Sequence, residues 1–125
     1  MGSRPTAIDR IRATCMALPE VEERSFGGHT APAFRVRDKL FVMTSEDGTT
    51  MTCKVPPGEN TLLVADEPER YFMPKYVGSK GWVGVRIADL DDGDAEEQEL
   101  WQELTDLMVG SYRLIAPKRL AALVG

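Results

Sequence analysis

The chain has 125 residues, enough for one domain with a core of its own and little beyond it. Its 15 Lys and Arg against 20 Asp and Glu give a formal charge of −5. That balance opposes nonspecific attraction of nucleic acid or anionic membrane over the whole surface, while leaving room for a local basic patch. A single His rules out an HExxH helix, a three-His zinc site and a two-His facial triad.

Cys15 and Cys53 have no CxxC or other paired spacing and read as small buried hydrophobes. No stretch approaches the roughly 18 apolar residues of a membrane span, and the start of the chain has no apolar signal core. The expected setting is therefore reducing and cytoplasmic, with no membrane partner. Met1 to Thr6 fits the spacing of a myristoylation site, but it is read here as a ragged, disordered start covering residues 1–5.

From Thr6 to Leu18 the apolar residues Ile8, Ile11, Cys15 and Leu18 recur at steps of three and four, which predicts an amphipathic helix. Thr6 and Asp9 fit its cap, and Pro19 stops it. Glu20 to Ser25 reads as a polar link, and Phe26 to Pro32 as a glycine-rich turn containing His29. The period then changes to two. Phe34 and Val36 alternate with Arg35 and Arg37, Asp38-Lys39 turns the chain into Leu40–Met43, and Glu46-Asp47-Gly48 makes a hairpin into Thr50–Val55. These three strands form an antiparallel meander.

A helix follows Pro56-Pro57-Gly58, running through Leu62, Leu63 and Ala65, with a further helical turn expected at Pro68–Arg70. Trp82–Ile87 alternates as a strand with Val83, Val85 and Ile87 on one face. Asp94 and Glu97 fit the capping box of a long helix striped by Leu100, Trp101, Leu104, Leu107, Met108 and Tyr112. Pro117 opens a last short helix carrying Leu120, Leu123 and Val124. The order predicts a single α+β domain over residues 1–125, an antiparallel sheet with helices on one side.

Charge is segregated along the chain. Residues 87–112 hold nine acids, among them Glu96, Glu97 and Glu99, and no Lys or Arg, so the remainder carries a balance of +4. Asp91-Asp92-Gly93-Asp94 is too compressed for a calcium loop, and the run reads as a solvated helix face. Residues 70–86 are the complement. Arg70, Lys75, Lys80 and Arg86 occur there without one acid, interleaved with Tyr71, Phe72, Tyr76 and Trp82 and thinned by Gly78, Gly81 and Gly84. Cations attract phosphate or carboxylate, aromatic faces stack on flat ligands, and glycines allow close approach. Arg35, Arg37 and Lys54, on the non-core face of their strands, are candidates to extend this surface. No triad, phosphate loop or dinucleotide fingerprint is visible, and no catalytic residue, metal ligand or cofactor is assigned.

Leu18-Pro19-Glu20, Ser25-Phe26-Gly27, Ala33-Phe34-Arg35-Val36, Gly81-Trp82-Val83 and the ending Ser111-Tyr112-Arg113-Leu114-Ile115-Ala116-Pro117-Lys118 occur in an order that resembles the MmcQ/YjbR family over about residues 13–120. The spacer Gly28 to Pro32 is longer than in familiar members. The resemblance implies a CyaY-like, double-wing-like α+β fold, a DNA-binding label that rests on fold analogy, and no enzymatic activity. Lys80 with Trp82, and Ser111 to Leu114, are the shared motif positions. The leading expectation is weak, salt-sensitive DNA binding, with Lys75, Lys80 and Arg86 on phosphates and Tyr76 and Trp82 stacking. Two alternatives stand beside it: a small anionic ligand bound with the same strip as one wall of a pocket, or a basic protein docked on the acidic helix.

Overall fold

Thr6 opens the first helix, α1 (Ala7–Met16), by a reciprocal cap: its hydroxyl accepts from the Asp9 N–H at 3.1 Å, and the Asp9 carboxylate accepts from the Thr6 N–H at 2.9 Å. The computed structural model describes residues 6–25, 31–90 and 95–124, with side chains in the last stretch from residue 98. The expectations for residues 1–5, for the turn around His29 and for the Asp94/Glu97 cap lie outside the described residues. Ile11 and Cys15 are fully buried, as the helical spacing requires, and Ile8 and Leu18 are half-buried.

The supposed polar link contains a strand, β1 (Val21–Glu23). Its charge conceals it. Glu23 lies on the helix side of the sheet, where its carboxylate takes two hydrogen bonds from Arg12 of α1 at 2.8 and 3.1 Å. Charged residues are ordinary on an edge strand, because they discourage further pairing.

The meander follows as expected: β2 (Ala33–Val36), β3 (Lys39–Thr44) and β4 (Thr50–Lys54), all antiparallel. The β2–β3 turn falls one residue earlier than predicted. Arg37 (φ 51°) and Asp38 (φ 66°) are its centre, both left-handed as in a type I′ hairpin. A register shift between Phe34 and Arg35 lets Phe41 and Val42, although adjacent, both become fully buried. In the next turn Asp47 accepts from the Ser45 hydroxyl and from the Thr49 amide and hydroxyl, which together hold its carboxyl down at about 2.

After α2 (Glu59–Asp66) the chain enters β5 (Tyr71–Phe72), which sequence periodicity missed, and residues 68–70 form a turn rather than a helix. A 3₁₀ turn (Gly78–Lys80) leads into β6 (Trp82–Arg86), which pairs with both β4 and β5. The six strands lie in the order β1-β2-β3-β4-β6-β5 with every pair antiparallel. The chain ends in α3 (Ala95–Ile115) and α4 (Lys118–Ala121).

α3 lies against β3, β4 and α1, and the core forms between these helices and one face of the sheet. Phe34, Val42, Met51, Cys53, Val83 and Val85 from the strands meet Leu104, Met108 and Tyr112 from α3, all essentially without solvent exposure. The Tyr112 ring stands edge-on to Phe41 with centroids 5.5 Å apart, and its hydroxyl donates to the Pro19 carbonyl. Leu62 and Leu123, expected to contribute to apolar stripes, face solvent instead. Both thiols lie inside this core. Burial pushes Cys53 up to about 12 and raises Cys15 as well, so each remains a neutral, packed thiol.

Candidate nucleic-acid interface

The basic–aromatic strip of residues 70–86 folds into β5, a connecting loop with its 3₁₀ turn, and β6. That path sends its cations in two directions.

At one end Arg70 forms a forked pair with Asp89, at 2.9 and 3.1 Å, and also donates to the Arg86 carbonyl. This pairing draws the Asp89 carboxyl below its ordinary value and raises Arg70. Arg86 donates to the carbonyls of Pro68 and Tyr71 at 3.0 and 3.3 Å, and its guanidinium stands 5.0 Å from the Phe72 ring centroid. Both arginines line a surface cleft of about 600 Å³ together with Asp66, Glu67, Glu69 and Asp89, so four carboxylates surround two guanidinium groups that already have partners. The space left by Gly84 is also taken. Phe72, its cross-strand partner, lies so close that an added Cβ would meet the ring at 2.3–2.5 Å. Gly84 therefore admits a side chain of the protein itself, not a ligand.

The other end is open. The Val77 N–H donates to the Lys75 carbonyl at 2.7 Å, closing a three-residue turn centred on Tyr76 at φ 68°. A γ-turn of positive φ is rare and strained for a residue with a side chain. Tyr76 is nonetheless 91% exposed, so no packing of its ring compensates the strain. Lys75 and Lys80 flank it, both exposed. Gly81 continues the turn at φ 92°, where its carbonyl accepts from the Val55 N–H at 3.0 Å.

Lys54 joins this end through the sheet. It pairs with Trp82 across β4 and β6, which puts both side chains on one face of the sheet. Trp82 is half-buried. Lys54 and Lys80 line a common cleft of about 660 Å³. Among the described residues Lys54, Lys75 and Lys80 have no carboxylate in ion-pair contact. Lys54 also borders a smaller groove of about 360 Å³ that contains Glu59, Glu103 and Asp106, which marks the acidic limit of this surface.

The other two candidates for an extension lie elsewhere. Arg37 pairs with Glu20 through two hydrogen bonds, at 2.6 and 3.1 Å, and Arg35 stands on β2, two strands from Lys54. On α3, Glu103 accepts the Tyr71 hydroxyl at 2.7 Å, while Glu96 and Glu97 are outside the described side chains. Among the described residues no three His, Cys, Asp or Glu side chains are grouped to hold a metal ion. No described helix is long and apolar enough to cross a membrane.

Two residues position this surface in a way the sequence reading missed: Asn60, which it did not single out, and Ser111, which it named only as a motif position. Asn60, 4% exposed, donates to the carbonyls of Gly78 and Trp82 at 2.9 and 3.1 Å and ties α2 to the start of the 3₁₀ turn and the start of β6. Ser111, fully buried on α3, accepts from the Lys54 N–H at 2.9 Å and donates to the Phe41 carbonyl at 2.6 Å. A polar residue inside an otherwise apolar helical stripe is the signal that would have found each of them.

No curated protein matches the sequence. Among solved structures, protein DR2400 of Deinococcus radiodurans, which carries a DUF419 domain, is similar with a TM-score of 0.72 and 21% identity, over 92% of this chain and 82% of that one. At that identity the likeness establishes the fold. The sequence model of the YjbR family matches residues 16–114, most of the chain and nearly the whole span over which the ordered motifs were found. The chain belongs to the YjbR family.

Proposed function

We propose that this YjbR-family chain binds DNA weakly and salt-sensitively, preferring single strands, through Lys54, Lys75 and Lys80 with Tyr76 and Trp82 as stacking faces. The observation that carries the reading is the Tyr76 turn: an aromatic side chain held in a strained backbone conformation, almost fully exposed, between two lysines without acidic partners. Exposed aromatic rings stack on unpaired bases, and lysines beside them neutralise the phosphates that link those bases. A paired duplex offers no free base face, and the acidic α3 repels one that reaches across it. Arg70 and Arg86 stay out of the contact set because their guanidinium groups are already bonded within an acidic cleft.

Three phosphate contacts give a modest salt dependence. The slope of log K against log salt is about −2 for a single strand, so affinity falls roughly 20-fold between 50 and 200 mM salt. Fluorescence anisotropy with a labelled oligothymidylate tests this. Lys75→Ala/Lys80→Ala is expected to weaken binding and flatten the slope to about −0.7, one contact remaining. The control Lys118→Ala, on α4, leaves both unchanged. Absence of binding at low salt, or binding unaltered in the double lysine variant, refutes the proposal.

A further inference from the structure

The cleft shared by Lys54 and Lys80 is built more firmly than a fold in the surface requires. Its walls come from the end of β4, the start of α2, the loop before β6 and the last turn of α3. Two of the three buried polar side chains among the described residues hold those walls together. Asn60 fixes α2 to Gly78 and Trp82 on one side of the cleft, and Ser111 fixes the Lys54 backbone to α3 on the other. Buried polar groups with every partner satisfied give a rigid, preformed shape. The volume of about 660 Å³ lies in the range of small-molecule sites.

The lining is two-sided in its chemistry. Val55, Met73 and Leu114 supply apolar wall, and Met73 and Leu114 are each 46% exposed although both are large and hydrophobic. Lys54, Ser79 and Lys80 supply cationic and hydroxyl groups, and among the described residues neither lysine is paired with an acid. Such a site favours a molecule with an apolar body and one anionic end. Desolvating the body stabilises the complex, and two lysines bind the charge.

We infer that this cleft is a binding site for a small amphipathic organic anion, its phosphate or carboxylate on Lys54 and Lys80 and its apolar body along Val55, Met73 and Leu114. The site shares Lys54 and Lys80 with the proposed DNA contact but does not include Lys75 or Tyr76.

The test uses the full chain and the fluorescent anion 1-anilinonaphthalene-8-sulfonate. One saturable site is expected, emptied by octyl phosphate or octanoate and left filled by octyl glucoside, octylammonium or inorganic phosphate. Whichever of the first two competes better identifies the headgroup. Lys54→Gln/Lys80→Gln is expected to weaken the dye about tenfold or more, and Leu114→Asp to abolish it, both with melting temperatures near that of the parent. If Leu114→Asp fails to fold, Met73→Asp, in the same lining, takes its place. Equal displacement by octyl glucoside with no effect of the lysine substitutions, or the absence of a saturable site, overturns the inference. Lys75→Ala/Tyr76→Gly separates the two proposals, since it should weaken oligonucleotide binding and leave dye binding intact.

Discussion

Replacing Tyr76 by glycine sets stability against binding at a single position. The left-handed backbone at φ 68° costs a side-chain-bearing residue about 1–2 kcal/mol. Glycine removes that cost, and its greater freedom in the unfolded chain returns about 0.5–1 kcal/mol of it. The ring is 91% exposed, so its loss forfeits almost no burial. Tyr76→Gly should therefore stabilise the fold by about 0.5–1 kcal/mol. An unfolding entropy near 2.1 cal/mol/K per residue over 125 residues makes this a rise in melting temperature of about 2–4 °C. Removing a stacking face should meanwhile cost about 1–3 kcal/mol of oligonucleotide affinity. Tyr76→Ala is the control, because it deletes the ring and keeps the strain: binding falls equally and the melting temperature stays put. Thermal denaturation and anisotropy on the same three proteins decide the matter. If Tyr76→Gly is destabilised, the ring packs on the protein in solution. If it binds as tightly as the parent, the strained tyrosine has no part in recognition.

Gly84→Ala should be strongly destabilising, by about 1–3 kcal/mol or more, because its Cβ meets the Phe72 ring at 2.3 Å. Adding Phe72→Ala should restore part of that loss, a coupling that a double-mutant cycle measures by denaturant titration. Ser111→Ala leaves the Lys54 N–H and the buried Phe41 carbonyl without a partner, so a loss of about 1–3 kcal/mol is expected, together with faster amide exchange at Lys54. Asp47 has its carboxyl held at about 2, below the ordinary 3.8, so what it contributes is present above pH 4 and fades as pH falls toward 2. An NMR titration should show the Thr49 amide shifting with a midpoint near 2, and a midpoint near 3.8 would mean that the turn's hydrogen bonds do not persist in solution.

The parts of the fold that were legible in the sequence are those set by local pattern. The stripe and cap of α1, the alternation of β2, β4 and β6 and the stripe of α3 are all imposed by one buried face. β5 escaped because two residues carry no periodicity, and because it is fixed by a glycine twelve positions later that leaves room for Phe72. β1 escaped because its Glu23 is satisfied by Arg12, which the chain places eleven residues earlier.

The candidate site shows the same division. Its composition was visible as an acid-free stretch. The pairing of Arg70 with Asp89 was not, since a bond between residues 19 apart depends on how β5, β6 and the segment after them are laid together. Charge segregated along the chain is thus partly cancelled in space: Asp89, from the acidic segment, neutralises the first cation of the basic one. What survives is the lysine end, where Ser111 and Leu114 from the end of α3 meet Lys54, Lys80 and Gly81.

The most direct measurement is a chemical-shift map of the isotope-labelled chain titrated with a short oligothymidylate at low salt. The account predicts that the shifts concentrate at Lys54 and across residues 75–82 and collapse as salt is raised. Shifts centred on Arg35 to Asp38, or on Arg70 and Arg86, or none at any salt concentration, would contradict it.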